Sequence, residues 1–181
     1  MAARDEVLQQ ARSRGARALT EFEAKCFLAD YGFPFPPEKT VASFDQLAST
    51  ARVPLKEMLV QQMVAGDREL MAGLVRDPQF GPCVLFGLGG IYTEALEDVA
   101  FRVAPLSRWD ARQMMDELRG GKLLDAFRGM PPVDRGALAD ILITLGTIGL
   151  ENPAIREIDI NPLKIRADGQ PIAVDALIIL G

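Results

Sequence analysis

The chain has 181 residues, 49% of them hydrophobic, and a formal net charge of −5. That suits one domain, or one domain with a small appendage, excludes a disordered tail, and disfavours non-specific nucleic-acid binding, which needs a basic surface to release counterions. No histidine is present, so Ser-His-Asp and Cys-His catalysis, His-rich zinc sites and a phosphohistidine carried within these residues are excluded.

Residues 4–13 predict a polar, peripheral helix. Within MAARDEVLQQARSRGARALT there is no apolar h-region, and no run approaches the roughly 18 apolar residues of a membrane span. The expectation is a cytoplasmic chain that binds neither membrane nor nucleic acid. Thr20-Glu21-Phe22-Glu23 is a capping box. It opens a helix whose Ala24, Phe27, Leu28 and Tyr31 share one face. Gly32 caps it, and Pro34, Pro36 and Pro37 prevent continuation. Cys26 and Cys83 form no CxxC pattern and read as reduced, mostly buried thiols. Ser43 with Gln46 predicts a short helix to about Thr50.

Strand signals follow. Met58–Val64 (MLVQQMV) predicts a strand, Ala65-Gly66-Asp67 a turn, and Glu69–Arg76 the partner strand of a hairpin. Asp77–Pro82 is a loop. Cys83–Phe86 predicts a strand running into Gly87-Leu88-Gly89-Gly90, and another covers about Val99–Ala104. Ser107 and Asp110 start a helix ending at Gly120-Gly121, with a short helix from Lys122 to about Phe127 before Pro131-Pro132. Asp134 caps a helix with Leu138, Ile141, Leu142, Leu145 and Ile148 on one face, wide enough to cover a sheet. The order predicts an α+β fold, a mostly antiparallel sheet with helices on one face.

The chain closes with EIDINPLKIRADGQPIAVDA. Ala167-Asp168-Gly169-Gln170 is a reversal signal, and a hairpin centred on Asp168 pairs residues whose numbers sum to 336, setting Asn161 opposite Asp175. Strand alternation then puts Glu157, Asp159, Asn161 and Asp175 on one face, with Ile158 and Ile160 toward the core. Hard divalent cations take oxygen ligands, and Mg²⁺ commonly uses one or two protein oxygens, leaving the rest to water and phosphate. The same acids could equally line the solvated face of an edge hairpin. The glycine cluster is no dinucleotide fingerprint, because Tyr92 stands where the third glycine belongs, and it lacks the GK[ST] ending of a P-loop. It can present backbone N–H groups to a phosphate or simply make a tight turn. Arg76 suits either a phosphate or a surface carboxylate, and Glu69 a solvated strand position.

The run VQQMVAGDRELMAGLVRDPQFGPCVLFGLGGIYTEALEDVAFRVAPL, the closing EIDINPL with AVDA, and the opening TEFEAKCFLADYGFPFPPEKTVAS resemble the ATP-grasp domain of ADP-forming acyl-CoA synthetases, relatives of the succinyl-CoA synthetase β-subunit. The resemblance covers roughly residues 18–52 and 58–178. It implies an ATP-grasp-like fold, with residues 1–52 as a helical segment and lead-in and 53–181 as the C-terminal-lobe-like domain. It implies Asn161 and Asp175 as Mg²⁺ ligands, with Asp159 and Glu157 holding waters or tuning the field. It implies Arg76 and Glu94 at the reacting phosphates, and Gln61, Gln62, Met63, Val64, Glu69, Gly89 and Gly90 about the nucleotide. Gln62 stands where the family often has glutamate.

The resemblance also implies that about fifty residues of the usual N-terminal lobe, with a phosphate-binding lysine and a His-Lys motif, are missing between Arg52 and Val53. The implied function is acyl-CoA + ADP + phosphate ⇌ carboxylate + CoA + ATP, with Mg²⁺, ATP/ADP and a CoA-binding α-subunit-like partner in a homo- or hetero-oligomer. The alternative is a non-catalytic binding or regulatory remnant that keeps the assembly surface.

Overall fold

Short-range hydrogen-bond patterns set the helix starts. The computed structural model describes residues 3–41, 58–90 and 98–181. Helix α1 (Ala3–Ser13) leads into α2 (Glu21–Ala29), where Thr20 and Glu23 exchange the two bonds of a capping box. Ser107 and Asp110 do the same for α3 (Arg108–Glu117), and Asp134 accepts from Gly136 and Ala137 to start α4 (Arg135–Glu151). Each cap satisfies N–H groups that the first turn leaves unpaired. The segment after Gly120 is only a 3₁₀ turn, Gly121–Leu124, shorter than the predicted helix. The predicted helix near Ser43–Thr50 lies outside the described residues.

The strands are β1 (Glu38–Val41), β2 (Met58–Gln61), β3 (Glu69–Asp77), β4 (Gly81–Leu88), β5 (Val99–Val103), β6 (Ile155–Ile165), β7 (Pro171–Ala173) and β8 (Leu177–Leu180). They form a two-stranded sheet β1-β2 and a six-stranded sheet ordered β5-β4-β3-β6-β7, with β8 also on β6. Among the described residues every pairing is antiparallel. The predicted hairpin between Met58–Val64 and Glu69–Arg76 does not form. β2 ends at Gln61 and pairs with β1, because β4 and β6 occupy both edges of β3.

One face of the larger sheet is covered. Leu70, Ala72 and Leu74 of β3, Val84, Phe86 and Leu88 of β4, and Ile158 and Ile160 of β6 are buried there with Leu138, Leu142, Leu145 and Ile148 of α4. Helix and sheet approach closely: a Cβ on Gly149 would lie 2.5 Å from the Leu74 side chain. The N-terminal segment joins the same core through Ala11, Leu19 and Phe27. Leu19 N–H donates to the Ile178 carbonyl and Leu180 N–H to that of Arg17, so both chain ends meet along β8. Cys83 is buried, but Cys26 is exposed and its neighbour Lys25 is the buried residue, a correction to the expected thiol burial. Among the described residues no helix is long and apolar enough to cross a membrane.

Arg14 holds Glu23 with paired bonds of 2.6 Å. That guanidinium, together with the capping bonds to Thr20, lowers the Glu23 carboxyl from 4.5 to about 2. A depressed carboxylate stabilises the fold above its unfolded pKa and loses that contribution as pH falls through its folded pKa. Glu23→Gln keeps a capping acceptor but removes the charge. The wild type should therefore melt higher than this variant above about pH 5, and the gap should close between about 4.5 and 2, as thermal unfolding across that range would record.

Candidate nucleotide and metal site

The sheet face opposite α4 carries the polar residues, and among the described residues no helix packs on it. Against β3, Gly73 stands opposite Asp159 and Val75 opposite Glu157. The register then shifts: Ala72 faces Ile160 but Leu70 faces Leu163, so Asn161 and Pro162 together stand opposite Met71. Such a bulge reverses the alternation beyond it. Ile158 and Ile160 are buried before it, Leu163 and Ile165 after it. Lys164, which strict alternation from Asp159 would send to the core, joins the open face instead.

The hairpin register holds on both sides of the predicted pair. Leu163 faces Ala173 and Lys164 faces Ile172 on β7, while Asp159 faces Leu177 and Glu157 faces Ile179 on β8. Asn161 and Asp175 fall in the interval between the two ladders, where the Val174 N–H donates to the Pro162 carbonyl. Asp175 is exposed, and its Oδ1 accepts from the Ala176 N–H at 2.7 Å. The carboxyl of Asp159 is raised above its ordinary value, first by burial and then by the charges of Glu157 and Asp175. The charges of Glu157 and Asp175 therefore both act on Asp159. Among the described residues no three of them converge as a metal cage. An ion here would rest on few protein oxygens, and that donor set fits Mg²⁺ completed by water and phosphate better than it fits a fully protein-ligated Ca²⁺.

Farther along β6, Lys164 Nζ lies 3.0 Å from Glu69 Oε1 and 3.3 Å from the Gly66 carbonyl. The glycine turn sits over this pair. Gly89 N–H donates to the Glu69 carbonyl, and Gly90 adopts φ +64° where a Cβ would lie 2.6 Å from Glu69 Oε2. A side chain at Gly90 would be strained by its backbone and would strike the carboxylate. Beyond Lys164, the segments Phe35–Pro37 and Gln62–Ala65 enclose a hollow of about 300 Å³ together with Arg166 and Ile172. A hollow of about 350 Å³ between α4 and the loop after α2 holds none of the predicted residues.

The ATP-grasp domain family matches residues 49–180. The chain belongs to the ATP-grasp family. The β subunit of ADP-forming acetate–CoA ligase I from Pyrococcus furiosus is 49% identical over 123 residues, 68% of this chain and 53% of that subunit. ADP-forming acetate–CoA ligase I from Archaeoglobus fulgidus is 42% identical over 127 residues, 70% of this chain and 18% of that protein. The chain thus spans about half the length of one relative and under a fifth of the other. A solved chain of the dinucleotide-forming acetyl-coenzyme A synthetase 1 of Ca. Korarchaeum cryptofilum, in complex with coenzyme A and Mg-AMPPCP, superposes with a TM-score of 0.85 at 36% identity, covering 99% of this chain and 100% of that one.

Within this ATP-grasp chain, two predicted residues have their side chains engaged elsewhere. Arg76 follows Leu70, Ala72 and Leu74 onto the covered face, where its guanidinium donates to the carbonyls of Ile155, Gly149 and Asn152 at 3.0, 2.7 and 3.2 Å. It closes the C-terminal end of α4 rather than standing among the acids. Gln61 accepts from Lys25. Met63 is 92% exposed, with Gln62 and Val64 at the hollow. Glu94 lies outside the described residues. Lys164 was missed because the bulge that exposes it leaves no local signal beyond Asn161-Pro162. Removing charged donors from buried carbonyls costs about 2–3 kcal/mol. Arg76→Met should lower unfolding stability by about that amount, seen as an earlier urea midpoint with an unchanged slope.

Proposed function

We propose that this chain is the ATP-grasp part of an ADP-forming acyl-CoA synthetase, taking part in acyl-CoA + ADP + phosphate ⇌ carboxylate + CoA + ATP. The observation that carries this reading is the order of features along β6. Reading back from Arg166, the residue just after β6, the hollow, the Glu69–Lys164 pair under Gly89 and Gly90, then Asn161, Asp159 and Glu157 follow one another along the strand. From Arg166 to Asn161 the strand rises on the order of 15 Å. A nucleotide would lie with its base in the hollow and its phosphates beside Lys164 and the glycine turn. Asn161 and Asp175 would hold Mg²⁺, which when bound neutralises phosphate charge as the phosphoryl group moves.

The chain's own residues bind and orient. Lys164 would exchange part of its contact with Glu69 for phosphate oxygen, while Glu157 and Asp159 order water about the ion. With no histidine among the 181 residues, a phosphohistidine carrier would have to come from another chain or domain. The Korarchaeum relative's phosphohistidine segment and bound coenzyme A support such a partner. A CoA-binding α-subunit-like chain or fused domain would complete the reaction, because the described residues form only antiparallel pairings and include no parallel doubly wound sheet of the nucleotide-binding kind.

A binding or regulatory role without catalysis is the second reading, favoured by the commitment of Arg76 to backbone carbonyls. Calorimetric titration with ATP and ADP, with and without Mg²⁺, separates the two. Metal-dependent heat should appear in the wild type and weaken at least about tenfold in Asn161→Ala/Asp175→Ala. Silence in every titration, beside a stable complex with a CoA-binding chain, would favour the second reading.

A further inference from the structure

Lys25 is a lysine only 1% exposed, in a helix whose other buried residues are apolar. Its ammonium has three donors and three acceptors: Glu21 Oε1 at 2.5 Å, Glu38 Oε2 at 3.0 Å and Gln61 Oε1 at 2.5 Å. A buried ammonium persists only when paired and hydrogen-bonded in this way. The identity of two partners matters more than their number. Glu38 is the first residue of β1 and directly follows Pro37. Gln61 is the last residue of β2 and directly precedes Gln62. Pro37 ends one wall of the 300 Å³ hollow and Gln62 begins the other. The Gln62 N–H donates to the Pro37 carbonyl at 3.0 Å, joining the two walls at the residues next to Glu38 and Gln61.

We propose that Lys25 is a positioning residue for the base end of the nucleotide site, fixing the separation of the Phe35–Pro37 and Gln62–Ala65 walls through its grip on Glu38 and Gln61. The assignment rests on the ATP-grasp reading above. Without the ammonium, Glu38 keeps a charge in an 11% exposed side chain and Gln61 keeps a carboxamide oxygen with no donor. Both then turn toward water, and the end of the β1-β2 ladder opens behind the walls. Among the described residues, the hydrogen bonds and ion pairs of Lys25 (Glu21, Glu38, Gln61) and those of Lys164 (Glu69, Gly66) share no residue.

That separation gives a test which general loss of stability does not imitate. Mg-ATP and Mg-tripolyphosphate are titrated into wild type, Lys25→Met and Gln61→Met, with thermal unfolding recorded for each. Lys25→Met should bind Mg-ATP about tenfold more weakly while tripolyphosphate affinity stays within about twofold. Gln61→Met, which retains the pairing of Lys25 with both glutamates, should show the same selective loss and serves if Lys25→Met does not fold. Equal weakening of both ligands, or a lower melting temperature with Mg-ATP affinity unchanged, overturns the assignment. A wild type silent toward both ligands overturns the nucleotide reading and this one with it, whereas a wild type that binds beside variants that bind equally well overturns only the role of Lys25.

Discussion

Two residues of β6 against one of β3 decide what the open face of this protein carries. Where Asn161 and Pro162 share the position opposite Met71, the phase of β6 reverses. Upstream, Glu157 and Asp159 look outward because Ile158 and Ile160 look in. Downstream, Lys164 looks outward because Leu163 and Ile165 look in. Without the bulge, keeping the acids outside would bury Lys164 and expose two apolar residues. With it, one strand delivers an anionic stretch and then a cation to the same surface, and Asn161 sits at the junction.

The two stretches are not equally settled. Lys164 has an anionic partner in Glu69 and a carbonyl in Gly66, so the cationic end is balanced within the protein. The anionic end is not: Asp159 holds its proton more tightly than an ordinary aspartate because it is half-buried and feels the charges of Glu157 and Asp175. Like charges at such spacing repel unless a cation or water intervenes. A divalent ion between Asn161 and Asp175 would relieve that repulsion, and phosphate oxygens would bridge from it toward Lys164.

Features coded by local spacing were legible in the sequence. The capping boxes at Thr20 and Ser107 and the cap at Asp134 depend on residues three apart, and the Asp168 turn fixed a hairpin register that β7 keeps throughout and β8 keeps from Asp159 to Glu157. Features decided by distant competition were not. MLVQQMV could pair with β3 on local rules, but β6, arriving some eighty residues later with its isoleucines in phase, takes that edge. Cys26 is the more hydrophobic of two neighbours, yet Lys25 is buried. Its position lies four residues after Glu21 and three before Leu28 on the helix, and acceptors from β1 and β2 close over its head. Those acceptors are invisible until β1 and β2 are known to pair.

Arg76 shows how position in the sheet can redirect a residue singled out for chemistry. Counting by twos from Leu70 already sends it to the covered face. Its place there bears on the acids all the same. Helix α4 ends at Glu151 and β6 begins at Ile155, leaving a short connection whose carbonyls crowd the joint between helix and sheet. Arg76 takes the carbonyls of Gly149 and Asn152 on one side of that joint and of Ile155 on the other. Holding the first residue of β6 fixes where the strand enters; the pairing with β8 then shifts between Ile155 and Glu157, so Ile155 and Ile158 are both buried while Glu157 and Asp159 alternate with Ile158 onto the other face. The guanidinium that does not stand among the carboxylates thus anchors the end of the strand from which they project.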